Sequence, residues 1–552
     1  MEIIKNKEYE LLIEDMTVSG EGVGKIDGYA LFVKDTVVGD RIIAKVIKVK
    51  KNYGYGRLIS IIEPSEERVE APCPNARACG GCTLMAMTYE SQLEFKRKLI
   101  ENNLRHIGGF TDSFIPPVIG MDKPFRYRNK AQFPVGKDRD GNIVMGFYAG
   151  RTHSIVPCED CLIGSNVNAI ILAKIKEYMV KNNVEPYDET SHSGLIRHIL
   201  IRIGFTTGEI MVCPVINGKS LPNEDELIKM LSNLTFEGDR KIASIIINSN
   251  TDKTNVILGK TSRVIFGCGY IEDYIGKIKY HISPLSFYQV NPAQTSILYD
   301  LALEYAGLTG NEIVWDLYCG IGTISLFLAQ RAKQVYGVEI VPQAIEDARN
   351  NAIINEITNA RFYVGKAEEV LPSLYENEGI YADVIVVDPP RKGCDEALLN
   401  TIIKMAPRRM VYVSCDSATM ARDLKYMAEH GYRLEKVQGV DQFPMTGHVE
   451  TVCLLSKLHE AKHHVNVTLE MDEMDITSAE SKATYEEIKK YVAAHNDGMK
   501  ASSLNIAQVK RKCDIELGEN FNLPKSGDSR QPQCTKEKEE AIMEALNAFK
   551  MI

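Results

Sequence analysis

The chain has 552 residues, of which 44% are hydrophobic, and a formal net charge of −9. This length predicts about three or four domains, and the hydrophobic content is sufficient for several buried cores. No apolar run approaches the roughly 18 residues of a membrane span, and the charged N-terminus has no signal-peptide core. We therefore expect a cytosolic protein that does not act at a membrane.

Residues 1 to about 62 alternate short β-branched and aromatic runs with glycine turns, which is typical of a small β-barrel. Between Arg41 and Arg57 there are six basic residues and no acidic one, with Tyr53 and Tyr55 interleaved. Cations hold phosphates and rings stack bases, so this barrel suits RNA. Protective lysines on a solvated strand edge explain the pattern equally well. The negative net charge argues only mildly against a nucleic acid, because one basic face is enough.

Closely spaced cysteines follow the predicted barrel. Cys73, Cys79 and Cys82 form the pattern C-x5-C-G-G-C, and Cys158 and Cys161 form a pair farther along. Thirteen cysteines in a reducing compartment do not predict a disulfide framework, so a tight cluster indicates a metal or catalysis. Four thiolates can hold zinc or a [4Fe-4S] cluster, and spacing alone does not separate the two.

Between the cysteines, Arg126, Arg128 and Lys130 alternate with aromatic and apolar positions. Such a strand has one cationic face and one face that packs. Further strands are predicted at 194–204, 209–215 and 242–258. We therefore expect an α+β middle domain whose basic strands suit an RNA surface.

From Ile282 onward, strands alternate with helices, which predicts a parallel sheet. A glycine turn at 320–322 follows one strand, and Glu339 ends the next strand about 20 positions later, where a carboxylate can bind both hydroxyls of a ribose. The turn departs from the phosphate-binding pattern G-x-G-x-x-G. S-adenosylmethionine, a nucleoside cofactor without phosphates, therefore fits this site.

Cys415 follows the apolar run 411–413 and precedes a predicted helix, so it lies at a strand-to-helix turn. A thiol near a helix N-terminus is favoured as thiolate and is a candidate nucleophile. Taken alone, a small buried hydrophobe is the commoner role for a free cysteine. Asp388 and Glu450 also fall at strand ends, however, and the three together favour a shared site.

The regular pattern ends after Lys457, and about 90 residues follow. Three short helices are predicted there, over 482–492, from Ser502 to Lys512 and over 537–549. With a basic middle helix they could form a helix-turn-helix-like nucleic-acid binder. A small packing or interaction module is the alternative.

Five ordered motifs resemble those of the S-adenosylmethionine-dependent RNA uracil-5-methyltransferases: SFYQVN at 286–291, DLYCGIGT at 316–323, DPPRKG at 388–393, YVSCD at 412–416 and FPMTGHVE at 443–450. The N-terminal patterns VSGEGVGK, YALFVKDTVVGD and RLISII resemble a TRAM domain, an OB-like RNA-binding module. With the cysteine motif, the resemblance is closest to the 23S rRNA branch, since the transfer RNA branch typically lacks both features.

The resemblance implies a multidomain fold. It comprises a TRAM β-barrel over 1–64, a central α+β domain with an iron-sulfur cluster over 65–283, a Rossmann-like α/β methyltransferase domain over 284–458, and a helical module of unknown role over 459–552. Part of 90–120 is expected to pack on the catalytic domain. The implied activity is methyl transfer to carbon 5 of a specific uridine in 23S rRNA, by a cytoplasmic monomer. A tRNA uracil-5-methyltransferase and a non-catalytic TRAM-type RNA-binding protein are the alternatives.

Carried over by position, the resemblance implies that Cys415 is the nucleophile and Glu450 the general base. It also implies a set of residues that contact the cofactor or orient the uracil: Gln289, Tyr318, Glu339 and Asp388. The implied ligands of a [4Fe-4S] cluster, which is favoured over zinc, are Cys73, Cys79, Cys82 and Cys161, with Cys158 less favoured. Thr323 departs from the family pattern, in which some relatives carry asparagine beside the cofactor.

Overall fold

The structure, a computed structural model, describes residues 3–150, 152–458, 485–496, 498–513 and 534–549. These residues belong to two compact units, Met1–Glu460 and Ala461–Ile552. Among the described residues, no helix combines the length and the apolar character needed to span a bilayer.

The N-terminal region is a closed five-stranded barrel with strand order β1-β2-β3-β5-β4. Side chains on β1 alternate between the interior and solvent over most of its length, as expected of a strand with one buried face. Leu31, Val33, Ile42 and Val46 fill the interior. The predicted barrel is therefore confirmed. Its strands are β1 (Glu8–Met16), β2 (Gly22–Ile26), β3 (Tyr29–Val33), β4 (Arg41–Val49) and β5 (Tyr53–Glu63).

The middle of the chain forms a seven-stranded sheet with the order β12-β11-β10-β9-β6-β7-β8, and two helices, α2 and α3, share a hydrophobic core with one of its faces. The predicted strand over 242–258 is wrong beyond Ser249, because the Asn250 side chain donates to the carbonyls of Val256 and Ile257 and closes a loop. In chain order the elements are α1 (Tyr89–His106), β6 (Lys130–Lys137), β7 (Ile143–Tyr148), β8 (Ile155–Pro157), α2 (Val167–Lys181), β9 (Ile196–Ile203), β10 (Glu209–Ile216), α3 (Glu224–Ser232), β11 (Lys241–Ser249) and β12 (Thr261–Gly267).

A hairpin leads into a second seven-stranded sheet, of order β17-β16-β15-β18-β19-β21-β20. The five strands from β17 to β19 are parallel, and β21 runs antiparallel to both of its neighbours. The strand order reverses between β15 and β18, which is where open α/β sheets bind ligands. This confirms the Rossmann-like prediction. The hairpin is β13 (Ile271–Ile275) and β14 (Ile278–Ile282), followed by α4 (Pro292–Ala306), β15 (Ile313–Leu317), α5 (Thr323–Ala329), β16 (Gln334–Glu339), α6 (Pro342–Ile354), β17 (Ala360–Val364), α7 (Ala367–Glu378), β18 (Val384–Val387), α8 (Glu396–Met405), β19 (Arg409–Ser414), α9 (Ser417–Glu429), β20 (Tyr432–Val440) and β21 (Glu450–Lys457).

Helix α1 precedes the middle sheet in the chain but packs against α9 and β20. Lys96 and Asp441 form an ion pair of 2.5 Å between Nζ and Oδ1, and both side chains are fully buried. The Tyr89 hydroxyl donates to the other oxygen of Asp441 at 2.7 Å. Helix α1 is therefore held to the second seven-stranded sheet by a buried polar network.

Replacing Lys96 by alanine is expected to destabilise the protein by about 3–5 kcal/mol, because the Asp441 carboxylate stays buried without its cation. Urea unfolding followed by circular dichroism measures the change in the free energy of unfolding. The matched control is Lys98→Ala on the same helix, where the side chain is 63% exposed and lies 3.7 Å from Glu94. We expect less than about 0.5 kcal/mol there. Equal effects of the two substitutions would contradict the prediction.

The second unit contains α10 (Tyr485–His495), α11 (Ser503–Lys512) and α12 (Lys536–Ala548), and confirms the small helical tail. Its interior includes Ile488, Val492, Ile506 and Ile542. Residues 482–484 of the first predicted helix lie outside the described residues. Ser502 and Asn505 form the capping box that begins α11.

Two of the three basic residues at the end of α11 are engaged within this unit. Lys512 pairs with Glu539 at 2.7 Å, and the buried Lys510 lies 4.8 Å above the Tyr485 ring. Fewer cations are thus left for a nucleic acid than the sequence suggests, and the role of the module stays a prediction.

Candidate active site

A cavity of about 770 Å³ lies at the carboxyl ends of β15, β16, β18 and β19. The residues predicted for cofactor binding and catalysis come from elements far apart in the chain. All six nevertheless line this one cavity: Gln289, Tyr318, Glu339, Asp388, Cys415 and Glu450.

The turn after β15 lines the cavity. Gly320 and Gly322 have φ of +54° and +81°, values that glycine adopts without steric cost. A Cβ on Gly322 would come within 3.2 Å of Ala348 and Phe362, which is closer than side chains normally pack, so these neighbours would have to shift. Glu339 accepts hydrogen bonds from the amides of Gly320 at 3.3 Å and Val341 at 2.9 Å, which fixes its carboxylate beside the turn.

Two further carboxyl groups make the cavity acidic. Burial raises the pKa of Asp316 to about 7, although Ser325 donates a hydrogen bond to it. Burial, together with the neighbouring Asp316, likewise raises the pKa of Asp388 to about 7. Within the described residues, Asp316 Oδ1 is buried without a hydrogen-bond partner. A positively charged ligand would relieve the repulsion between these carboxylates.

Cys415 is half-buried directly after β19 and faces the cavity. The next residue, Asp416, caps α9 by accepting from the amides of Ala418 and Thr419. Burial, and then the charges of Glu450 and Asp388, raise the pKa of the Cys415 thiol to about 11.

Arg391 opposes this shift, both by its charge and by a hydrogen bond to the thiol. It is exposed, follows two prolines after β18, and lines the same cavity. Arg391 belongs to the DPPRKG motif, but the motif alone indicates no role for it. Its position beside the sulfur depends on how the chain turns after Pro390, which no local pattern specifies.

Glu450 is the first residue of β21 and is only 3% exposed. Burial, and then the nearby Asp388, raise its pKa well above the usual range, while Arg391 acts in the opposite direction. Among the described residues its Oε2 has no hydrogen-bond partner. A buried carboxyl group with a free oxygen can exchange a proton with a bound ligand.

The predicted cluster cysteines also approach one another. Burial and the charges at Cys161, Cys79 and Cys73 raise the pKa of Cys82 to about 12. A hydrogen bond from Cys158 lowers the pKa of Cys161 despite its burial. In the part of the chain that is described, however, no three His, Cys, Asp or Glu side chains are grouped closely enough to hold a metal ion. The iron-sulfur prediction is therefore not confirmed and stays a prediction.

Comparisons with known proteins agree with this architecture. Residues 88–458 match the family model described as tRNA (uracil-5-)-methyltransferase, and residues 5–59 match the TRAM domain model. An uncharacterized RNA methyltransferase of Halalkalibacterium halodurans is 51% identical over 451 residues, which cover 82% of this chain and 97% of the relative. A second one, from Clostridium tetani, is 50% identical over 458 residues, covering 83% and 98%.

A solved structure is also similar over most of the chain. It is the crystal structure of the Pyrococcus abyssi tRNA (uracil-54, C5)-methyltransferase in complex with S-adenosyl-L-homocysteine. It is 28% identical with a TM-score of 0.65, and the match covers 81% of this chain and all of that one. The family model ends at residue 458, before the helical tail.

Proposed function

We propose that the chain, which belongs to the tRNA (uracil-5-)-methyltransferase family, methylates carbon 5 of a specific uridine in 23S ribosomal RNA. The family match, the TRAM domain and the structural relative make it an S-adenosylmethionine-dependent RNA methyltransferase. The observation that carries the proposed chemistry is the single cavity shared by Cys415, Asp388 and Glu450.

The cavity has the side chains that S-adenosylmethionine requires. We assign Glu339 to the ribose hydroxyls, and Gln289, Tyr318 and Asp388 to the remaining contacts with the cofactor or the uracil. The acidic lining suits a sulfonium ion, because a nearby cation favours the charged form of Asp316 and Asp388, whose pKa burial raises to about 7. When bound, this cofactor supplies the methyl group.

Cys415 supplies the activation that uracil needs, because carbon 5 is too weak a nucleophile to accept a methyl group directly. The sulfur adds to carbon 6, and electron density then develops at carbon 5 and O4. Arg391 favours the thiolate, and hydrogen-bond donors near O4 stabilise the charge on the ring.

Glu450 completes the reaction. After methyl transfer, carbon 5 carries both the methyl group and a proton. Glu450 removes that proton, and the electron pair of the C–H bond re-forms the double bond while the Cys415 sulfur leaves carbon 6. The buried position and the free Oε2 of Glu450 suit a base that acts on a ligand in the cavity.

The barrel supports an RNA substrate. The rings of Phe32, Tyr53 and Tyr55 lie 5.6 to 5.8 Å apart as a cluster on β3 and β5. The exposed Lys48 and Lys50 lie at the end of β4, close to these rings in the strand register. Stacking rings beside cations are what a nucleic-acid strand requires.

Two observations favour different RNA substrates. The TRAM domain together with the cysteine motif favours 23S rRNA, whereas the similarity to an enzyme named for a tRNA favours transfer RNA as the second candidate. The test is methyl transfer from labelled S-adenosylmethionine to 23S rRNA and to tRNA, both from cells lacking the protein, with mapping of 5-methyluridine. Methylation of tRNA alone would reject the rRNA proposal. Binding without methylation of either would support the non-catalytic alternative.

We further propose that Cys73, Cys79, Cys82 and Cys161 hold a [4Fe-4S] cluster. Thiolates are the ligands that such a cluster takes, and three of these cysteines, Cys73, Cys82 and Cys161, pack against one hydrophobic cluster. The sulfurs would have to move closer together to bind the cluster, since they are not grouped at metal-binding distance among the described residues. Zinc is the alternative. Iron and sulfide analysis of anaerobically purified protein separates the two metals.

Cysteine substitutions should discriminate the ligands. Cys161→Ser is expected to lose the iron and the brown colour, since a hydroxyl replaces a ligating thiolate. Cys158→Ser is the matched control, and it should keep the iron because its hydroxyl still donates to Cys161. If Cys158→Ser loses the iron and Cys161→Ser keeps it, Cys158 is the fourth ligand and Cys161 is not.

Arg391→Met is expected to raise the pKa of the Cys415 thiol by about one unit, because the charge and the hydrogen bond by which Arg391 lowers this pKa are both removed. The thiolate fraction at neutral pH then falls about tenfold. Alkylation of Cys415 by iodoacetamide as a function of pH measures this, and the profile should move to higher pH. Lys392→Met, at the neighbouring exposed cation, is the control and should leave the profile unchanged.

A further inference from the structure

Lys130, at the start of β6, has two other cations near it, Arg202 and Arg128. Lys130 on β6 pairs in register with Arg202 on β9, so their side chains share one face of the sheet. Arg128 precedes β6, and its Nε donates to the carbonyl of Lys130 at 3.1 Å. Among the described residues, none of the three has a carboxylate within ion-pair distance. Arg126, the third basic residue of the same motif, differs in pairing with Asp160 at 2.5 Å.

This grouping is electrostatically unfavourable as it stands. Arg202 is 2% exposed, and its Nε is buried without a hydrogen-bond partner in the described part of the chain. Burial, and then the charges of Arg202 and Arg128, lower the pKa of Lys130 to about 7. Buried charges are normally paired, so a cluster of like charges without a counter-ion indicates that an anion binds there.

The cluster is connected to the rim of the active-site cavity. Arg202 donates to the carbonyls of Pro284 and Ser286. Asn129, between Arg128 and Lys130, donates from its side chain to the Gln289 carbonyl at 3.0 Å. The loop held in this way carries Phe287 and Gln289, which both line the cavity, and Phe287 is 67% exposed.

We infer that Lys130 and Arg128 bind a backbone phosphate of the RNA next to the uridine that enters the cavity. A compact ammonium and a planar guanidinium are the two side chains that suit a phosphate. Arg202 is too deeply buried to reach the RNA, and is a positioning residue that holds the loop beside this phosphate site. This phosphate site rests on the proposed function. An enzyme that flips a base out of its stack must also bind the RNA strand on either side of that base.

Lys130 gives the cleanest test. Arg128 also lies near the cysteine motif, where its charge acts on Cys82 and Cys161, so its substitution affects two sites. The probe is a short RNA hairpin with a uridine in its loop, whose affinity is measured over a range of salt concentrations. Lys130→Gln is expected to weaken binding about tenfold, because a charge-assisted hydrogen bond is lost. The slope of log affinity against log salt should fall by about 0.7, as for one lost contact to a single strand.

Two matched variants accompany it. Lys130→Arg keeps the charge and should restore most of the affinity and the salt slope, which a purely structural role would not predict. Lys176→Gln removes an exposed lysine from α2, on the opposite side of the sheet, and should leave both quantities unchanged. Thermal melting and affinity for S-adenosylmethionine are measured for each variant and are expected to match the wild type.

Chemical substitution of the RNA locates the phosphate. Replacing one linkage at a time by an uncharged methylphosphonate should weaken wild-type binding at one position beside the loop uridine. Lys130→Gln should be insensitive at that position. The inference is overturned if Lys130→Gln binds the hairpin like the wild type, or if it loses affinity for S-adenosylmethionine instead. Failure of the wild type to methylate any RNA would reject the proposed function, which is a distinct result.

Discussion

Cys415→Ala is expected to reduce methyl transfer to RNA by at least about 10⁴-fold, while the affinity for S-adenosylmethionine stays within about twofold of the wild type. The other thiol that lines the cavity, Cys319, is only 4% exposed, and burial raises its pKa well above the usual range, so it is a poor substitute for the Cys415 sulfur. The cofactor contacts are assigned to other residues of the same cavity. Transfer of labelled methyl to RNA and calorimetric titration with S-adenosylmethionine measure the two quantities separately.

The matched control is Cys268→Ala, which removes an exposed thiol that does not line the cavity. Its activity should be unchanged, so that a general effect of cysteine removal is excluded. Measurable turnover in Cys415→Ala at the wild-type rate would contradict nucleophilic catalysis at this position. Loss of both activity and cofactor affinity would point to a structural role instead.

The free protein holds Cys415 mostly as the thiol at neutral pH, because burial and the adjacent carboxyl groups raise its pKa to about 11. A raised thiol pKa means that the nucleophilic form is scarce at neutral pH and increases toward pH 11. We therefore expect alkylation of Cys415 in the protein without substrates to increase with pH throughout the neutral range. Arg391 is the group in the cavity that limits this shift.

The grouping of the candidate site residues in one cavity could be predicted from the sequence, because it follows from local patterns. Asp388 and Cys415 each come directly after a short apolar strand, and the carboxyl ends of parallel strands lie at one edge of a sheet. Glu450 begins a strand that runs the other way, so it reaches the same edge. The order and direction of the strands thus explain why Asp388, Cys415 and Glu450 lie at the same edge of the sheet.

What local pattern could not predict depends on contacts between distant segments. Arg126, Arg128 and Lys130 form one alternating motif, yet Arg126 pairs with Asp160, whereas Lys130 pairs in register with Arg202 and Arg128 donates to the Lys130 carbonyl. Arg126 has a φ of +58°, so the extended alternation that the sequence predicts does not reach this residue. Helix α1 likewise depends on a distant contact, since its buried Lys96 has its partner 345 residues away. Neither the different partners of the three basic residues nor the ion pair of Lys96 produces a periodic pattern in the sequence.

Glu450→Gln is expected to accumulate a covalent protein–RNA adduct. The amide has nearly the same size as the carboxyl group, so addition of Cys415 and methyl transfer can proceed, but glutamine cannot take the proton from carbon 5. The Cys415 sulfur then remains bonded to carbon 6, and turnover stops after one event per enzyme molecule. A denaturing gel should show a band of lower mobility that contains label from the methyl group and disappears on treatment with ribonuclease.

The double variant Cys415→Ala/Glu450→Gln is the control, and it should form no such band because the bond to RNA requires the sulfur. A shifted band without methyl label would mean that the sulfur adds but the methyl group is not transferred, which would place Glu450 in methyl transfer instead of the later proton removal. Wild-type turnover in Glu450→Gln would show that another base removes the proton. Asp388 is the first alternative, because it lies in the same cavity with a pKa raised to about 7 and can accept a proton near neutral pH.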